Sequence, residues 1–419
     1  MVGRPTFWGV LKKKKVDVLP PNLLLSLLPL SGISFIMIDT GLHSWVEISR
    51  QAFRNNIASL SKLAGNRSLA VCVKANAYGH GLPQIVKLLI ETNQVDYVTV
   101  QSVQEAEVCR NVGWKRSIMV LGPLLPNQLE AILELNLEPV VFDSQTLSIL
   151  GKLGDKANTR IRTHLKLETG TNRQGIGEDE LVPIAAIYER HPSLGAPYGA
   201  STHFANIEDT TNHEYADYQL RLFNRMVSKL TKLGIKPKIR HTACSAALIL
   251  FEKTRFELVR PGIAAYGHWP SKETYLSYRL GGGDDSLFTP VLSWKTRITQ
   301  LKKIPVDSFV GYGCTYRTTA ATRLAVLPVG YADGYDRILS NIAHVLIHGR
   351  RAPVRGRVCM NLILVDVTHI KRVKLHDEVT LIGSSQSETV TAEQLAGWAN
   401  TINYEILSRI SPTLSRIVK

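Results

Sequence analysis

A chain of 419 residues, 44% hydrophobic and 20% charged, is long enough for two domains and too apolar to be disordered. Its formal charge of +15 persists beyond residues 1–41, since the remainder still holds 45 basic against 33 acidic residues; this suits small anionic ligands or a charged surface, while the lack of an arginine-rich run or zinc-finger spacing after residue 41 argues against nucleic acid. Five scattered cysteines without a paired spacing argue against a disulfide frame or a zinc site, and for a reducing, cytoplasmic setting.

Residues 1–41 open with Lys12 to Lys15 and then a largely apolar stretch broken by Pro29 and Gly32. The basic-then-apolar order over 12–38 is that of an export signal, but no small-x-small cleavage site follows. A start at Met37 or a disordered extension is the first reading, an export signal the second and a membrane anchor the third. No fold argument uses this segment.

From residue 43 apolar runs alternate with amphipathic stretches. Strands are expected at 69–73, 97–100, 118–121, 139–142, 161–167, 198–204, 239–242 and 258–265, and helices at 48–63, 82–91, 104–112, 126–135, 180–190 and 215–233. That repeat predicts a parallel (β/α)8 TIM barrel over 42–283, with its chemistry at the carboxyl ends of the strands. Gly281 to Asp285 reads as a flexible linker. Beyond it, over 284–419, strands are expected at 291–301, 324–328, 344–348, 360–367 and 378–382, with one strong helix at 392–400, a mainly β domain.

Ionisable residues gather at the predicted strand ends. Lys74 follows the first strand within LAVCVKANAYGHG, where small residues leave no bulk over its amine; a half-buried lysine of this kind forms imines readily. Lys166 and Arg173 follow the fifth strand, His203 the sixth, His241 and Ser245 the seventh, and Arg260 with Gly262 the eighth. Each has a bland alternative: Lys74 as a surface residue, His203 as packed core, Arg260 as a surface partner of Glu257. Glycine after the eighth strand lets backbone N–H groups approach an anion, and a barrel commonly seats phosphate near strands seven and eight. An imine-forming lysine and a phosphate cradle in one pocket suggest pyridoxal 5'-phosphate.

The motifs VKANAYGHG (73–81), LKLETGTNRQG (165–175), THFA (202–205), HTACSAA (241–247), RPGIAAYG (260–267), VGYGCTY (310–316), VGYADGY (329–335), GRVCMN (356–361) and INYE (402–405) follow one another in an order that resembles the alanine racemase family. The resemblance implies a homodimer with shared active sites, interconverting L- and D-alanine on pyridoxal phosphate and supplying D-alanine for peptidoglycan. It makes Lys74 the cofactor lysine and one base, and Tyr312, from the partner subunit, the base on the opposite face. It sets Arg260 against the pyridine nitrogen with His203 and His241 in support, and Tyr78, Ser245, Gly262 and Ile263 around the phosphate. Arg173 and the Met360 backbone meet the substrate carboxylate, Cys359 stands beside Met360, and Lys166 aligns with a lysine often carbamylated.

Departures from the family pattern are Cys244 for the usual asparagine, Asn361 for aspartate, Thr171 for methionine, and SPTLSR without the tyrosine some members have. They bear on substrate range and leave open a broader racemase acting on serine or lysine, since one methylene is worth only about 1–3 kcal/mol. A same-barrel decarboxylase would want an acid where Arg260 stands, and a non-catalytic cofactor carrier would lack Tyr312.

Overall fold

The computed structural model describes residues 42–419. The 12–38 stretch, and with it every reading of the amino terminus, lies outside them. Strand β1 (Ser44–Ile48) comes first. Eight strands then follow in parallel: β2 (Ser68–Cys72), β3 (Tyr97–Val100), β4 (Ser117–Val120), β5 (Glu138–Val141), β6 (His164–Lys166), β7 (Gly199–Ser201), β8 (Ile239–His241) and β9 (Leu258–Val259). They pair in the order β8-β7-β6-β5-β4-β3-β2-β9, a nearly closed barrel. The seam between β8 and β9 is bridged by the Arg240 N–H within β8 to the Glu257 carboxylate just ahead of β9 (2.7 Å) and, past both strands, by Arg260 N–H to the Ala243 carbonyl (2.8 Å).

Period-two side-chain alternation sorts these strands into an outer and an inner face. In β2, Leu69 and Val71 join the large core beneath the helices, whereas Ala70 belongs to a small cluster inside the barrel with Tyr97, Met119, Val140 and Leu258. The same parity carries Cys72 and Lys74 inward at the top. It turns Lys166, Ser201, His203 and Arg260 inward as well, all of which line one cavity.

The helices form for local reasons. Arg50–Ala64 is capped by Ser49, whose hydroxyl accepts from Ala52 N–H (3.2 Å), and buries Phe53, Ile57 and Leu60 at helical spacing. Of the other expected helices, 126–135 splits into a 3-10 turn, Pro126–Gln128, and a short helix, Glu130–Glu134. Helices Ser144–Ala157, Ser245–Leu250 and Lys272–Leu280 form in addition. The supposed linker is a tied turn, with Asp285 bound by Tyr275 (2.6 Å) and Arg279 (2.8 Å).

Beyond the barrel run β10 (Leu292–Arg297), β11 (Gln300–Ile304), β12 (Thr322–Leu327), β13 (His344–Ile347), β14 (Arg350–Pro353), β15 (Ile363–Asp366), β16 (Glu378–Ser385), β17 (Glu388–Val390) and β18 (Ser415–Val418). The stretch read as one strand at 291–301 is thus two. The main sheet runs β14-β13-β16-β10-β1-β18, with β17 on β16, and a smaller sheet runs β11-β12-β15. A second short helix, Asn403–Ser408, follows Ala392–Ala399. Strand β1 pairs antiparallel with β10 and parallel with β18, so residues counted at 42–48 with the barrel are instead a central strand of the β region. Among the described residues no helix is long and apolar enough to cross a membrane.

Candidate active site

Lys74 begins an unusual turn. Ala75, Asn76, Ala77 and Tyr78 all have φ of 53–54°, a short left-handed helix of L-residues, each costing roughly 1–2 kcal/mol relative to the right-handed form. The surroundings hold it there. Ala75 N–H donates to Glu105 (2.7 Å), Asn76 Oδ1 accepts from Leu82 N–H (2.8 Å), and Arg416 of β18 donates to the Gly79 carbonyl through Nε (3.2 Å) and Nη2 (3.0 Å). A side chain at Gly79, φ 82°, would put its Cβ 1.9 Å from the Leu407 carbonyl oxygen, so only glycine lets helix Asn403–Ser408 pack there.

This reversal returns Tyr78 to the mouth of the barrel beside Gly262; a Cβ on that glycine would lie 2.4 Å from the Tyr78 hydroxyl. Ser245 Oγ accepts from the N–H groups of Gly262 (2.9 Å) and Ala264 (3.4 Å). Arg173 is delivered by a loop that doubles back after β6. Ile176 N–H donates to the Lys166 carbonyl (2.8 Å), and Glu168 accepts from the N–H groups of Gly170 (2.6 Å) and Thr171 (2.7 Å).

The cavity, ≈ 710 Å3, brings together nine of the anticipated residues: Lys74, Tyr78, Lys166, Arg173, His203, Ser245, Arg260, Gly262 and Ile263. Burial, with help from Arg173 and Arg260, lowers Lys166 to about 8, and burial followed by the same arginines lowers His203 to about 3. His203 is therefore neutral. Arg260 Nη2 donates to the carbonyls of Thr202 (2.7 Å) and His241 (3.2 Å), while its buried Nε has no partner. Glu257 pairs with Arg240, so Arg260 is not its surface partner.

Four anticipated residues lie elsewhere. His241 is buried under the cavity floor against His164. Tyr312, 72% exposed, stands in the 3-10 turn Tyr312–Cys314, and Met360, 56% exposed, with Cys359 forms the turn that receives Tyr331 and Ala332 N–H groups. None of the four lines the cavity of its own chain.

Tyr404 and Glu208 do line it and were not anticipated as site residues. The Tyr404 hydroxyl donates to Glu208 (3.1 Å), and burial raises the Glu208 carboxyl above its ordinary range. Tyr404 belongs to the INYE motif, whose place in the order of motifs was noticed but not its reach into the barrel.

The donor set fits pyridoxal phosphate. Two lysine amines, Lys74 and Lys166, line the cavity and offer a covalent bond, the Ser245 hydroxyl accepts from the Gly262 and Ala264 N–H groups and keeps its own proton for a phosphate oxygen, a guanidinium with a spare buried N–H stands inside, and the basic lining of Lys74, Lys166, Arg173 and Arg260 suits a phosphate and a carboxylate. Among the described residues no group of histidine, cysteine, aspartate or glutamate is arranged to hold a metal.

Two family models match, "Alanine racemase, N-terminal domain" at residues 48–270 and "Alanine racemase, C-terminal domain" at 291–418. The alanine racemase of Leptospira interrogans is 37% identical over 90% of this chain and 95% of its own. The crystal structure of alanine racemase from Bacillus anthracis with bound L-Ala-P has 32% identity and a TM-score of 0.83, covering 90% of this chain and 95% of that one. The enzyme from Bartonella henselae with covalently bound pyridoxal phosphate has 26% identity and a TM-score of 0.79 over 90% and 99%. The chain therefore belongs to the alanine racemase family, a pyridoxal-phosphate enzyme that interconverts L- and D-alanine.

Proposed function

We propose that this racemase works with two bases from two subunits, Lys74 of one and Tyr312 of the other, acting on opposite faces of the same α-carbon in a homodimer. The observation that carries the reading is the separation within one chain: Lys74 lines the cavity, whereas Tyr312 is 72% exposed and absent from that lining. Inversion needs one group to remove the α-proton and another to return a proton from behind, so a pocket with a single base facing the substrate is incomplete.

Pyridoxal phosphate, when bound, supplies the electron sink that acidifies the substrate Cα–H. The protein does the rest. Lys74 Nζ would hold the cofactor and, when its amine is free, would carry a proton on its face of the substrate. Tyr78, Ser245, Gly262 and Ile263 bind phosphate oxygens. Arg260, whose buried Nε has no protein partner, would meet the ring nitrogen of the cofactor with a donor that keeps its proton. Neutral His203 packs beside it, and His241 and Cys359 support the site from outside the cavity. Arg173 and the Met360 backbone hold the substrate carboxylate. Lys166, lowered to about 8, has a larger neutral fraction than an ordinary lysine with which to take up carbon dioxide, and the resulting carbamate would orient Arg173. The free thiols Cys72, Cys109, Cys244, Cys314 and Cys359 favour action in the cytoplasm.

Mixing tests the shared site. Lys74→Ala and Tyr312→Phe proteins are each expected to be nearly inactive, and after subunit exchange the mixture should recover about a quarter of the unaltered activity, because half the dimers hold one intact site of two. Exchange verified by tagged subunits without recovery of activity would overturn the reading.

A further inference from the structure

The left-handed turn that carries Lys74 and Tyr78 closes largely on itself. The carbonyls of Ala75, Asn76 and Ala77 accept from the N–H groups of Gly79 (3.1 Å), Gly81 (2.9 Å) and His80 (3.0 Å). The Gly79 carbonyl is met instead from 337 positions away, by Arg416 of β18 through Nε (3.2 Å) and Nη2 (3.0 Å). The same guanidinium also grips its own segment. Its Nη1 donates to the carbonyls of Ser411 (2.7 Å) and Leu414 (2.6 Å), and Nη2 to that of Ile410 (3.2 Å). These five bonds use the five N–H donors of an arginine fork, and every acceptor is a main-chain carbonyl. A lysine, with its donors on a single nitrogen, could not span both sides.

Room for the contact is built into the YGHG stretch. A Cβ on Gly81, φ 98°, would fall 3.2 Å from Arg416 Cγ, just as one on Gly79 would strike Leu407. Segment 410–416 is fixed in turn to the β region, by Ser411 N–H to the Asp333 carbonyl (3.0 Å) and by the parallel pairing of β18 with β1. A run of L-residues in the left-handed region persists only where its surroundings hold it, and Arg416 holds this one at the residue after Tyr78.

We infer that Arg416 is a positioning residue for the cofactor, clamping the turn that bears Lys74 and Tyr78 to the last strand of the chain. The inference rests on those two residues holding pyridoxal phosphate, but the clamp itself can be read without cofactor.

Arg416→Lys keeps the charge and gives up the fork. In cofactor-free protein, amide hydrogen exchange across 75–81 should quicken about ten-fold, as expected for losing a hydrogen bond to a charged group. Titration with pyridoxal phosphate should show binding weakened by about the same factor, and the visible circular dichroism of the bound form should shrink as its seat loosens. Val379→Ala, a cavity in β16 away from the turn, should lower the melting temperature and leave all three readings unchanged. Unchanged exchange across 75–81 in a folded Arg416→Lys would overturn the proposal, as would unchanged cofactor affinity there when Lys74→Ala has lost its colour. Retained colour in Lys74→Ala would instead overturn the reading beneath it. If Arg416→Lys fails to fold, the unaltered protein decides: 75–81 and 410–418 should gain exchange at the same urea concentrations, and independent opening of the two would overturn the proposal.

Discussion

Replacing Gly262 with alanine adds one methyl group at the most crowded point of the proposed phosphate cradle. Its Cβ would stand 2.4 Å from the Tyr78 hydroxyl and 3.0 Å from Cζ, with Cys72 Cβ 3.7 Å away. Ordinary contact needs about 3.5 Å, so Tyr78 must retreat by about 1 Å. Its hydroxyl would then no longer reach a phosphate oxygen seated between Tyr78 and Ser245. Losing a hydrogen bond to a charged group is worth about 1.5–3 kcal/mol, a roughly 10- to 150-fold weaker hold on the cofactor. The assay is titration of cofactor-free protein with pyridoxal phosphate, followed by the visible colour of the bound form, for Gly262→Ala, Tyr78→Phe and the double variant. The single variants should weaken binding to a similar degree. The double should be little worse than Tyr78→Phe alone, because the atom that clashes most is already gone and neighbouring substitutions are not additive. Unimpaired binding by Gly262→Ala, or two losses that simply add, would refute this reasoning.

Lys74→Ala should abolish the visible colour of the loaded protein after dialysis; retained colour would remove Lys74 as the cofactor lysine. Ala75 is exposed and left-handed, so Ala75→Gly should raise stability by about 0.5–1 kcal/mol in urea melts, the reverse of the loss of about 1 kcal/mol that glycine causes in a right-handed helix. Folding lowers Lys166 from 10.5 to about 8, so between those values the folded chain holds fewer protons than the unfolded one and stability should rise with pH across that window. Lys166→Met should flatten that rise. Isotope-labelled bicarbonate should give a carbamate NMR signal that grows as pH passes 8 and is absent from Lys166→Met.

Much of this architecture was legible in the linear order of residues. Strands such as 69–73 and 97–100 are short apolar runs between turn formers, and β-branched or aromatic side chains in such a run have few other ways to be buried. Because parity is strict along a strand, the residue after each run was already committed to the barrel mouth, which is why Lys74, Lys166, His203 and Arg260 could be named together. Tertiary structure decided what depends on partners far away in sequence. Strand β1 looks like the lead-in to a helix and becomes sheet only because β10 and β18 supply its hydrogen bonds some 250 and 370 residues later. The left-handed turn after Lys74 opposes the local preference of Ala-Asn-Ala-Tyr, and persists because Glu105, Arg416 and the close approach of Leu407 outweigh that preference. Likewise Glu138 stands just ahead of the expected strand 139–142, and Tyr404 sits in the INYE motif beyond the expected helix 392–400. Only closing the barrel brought the first against His164 and packing the β region brought the second into the cavity, since proximity across a fold, unlike alternation along a strand, leaves no local trace in the chain.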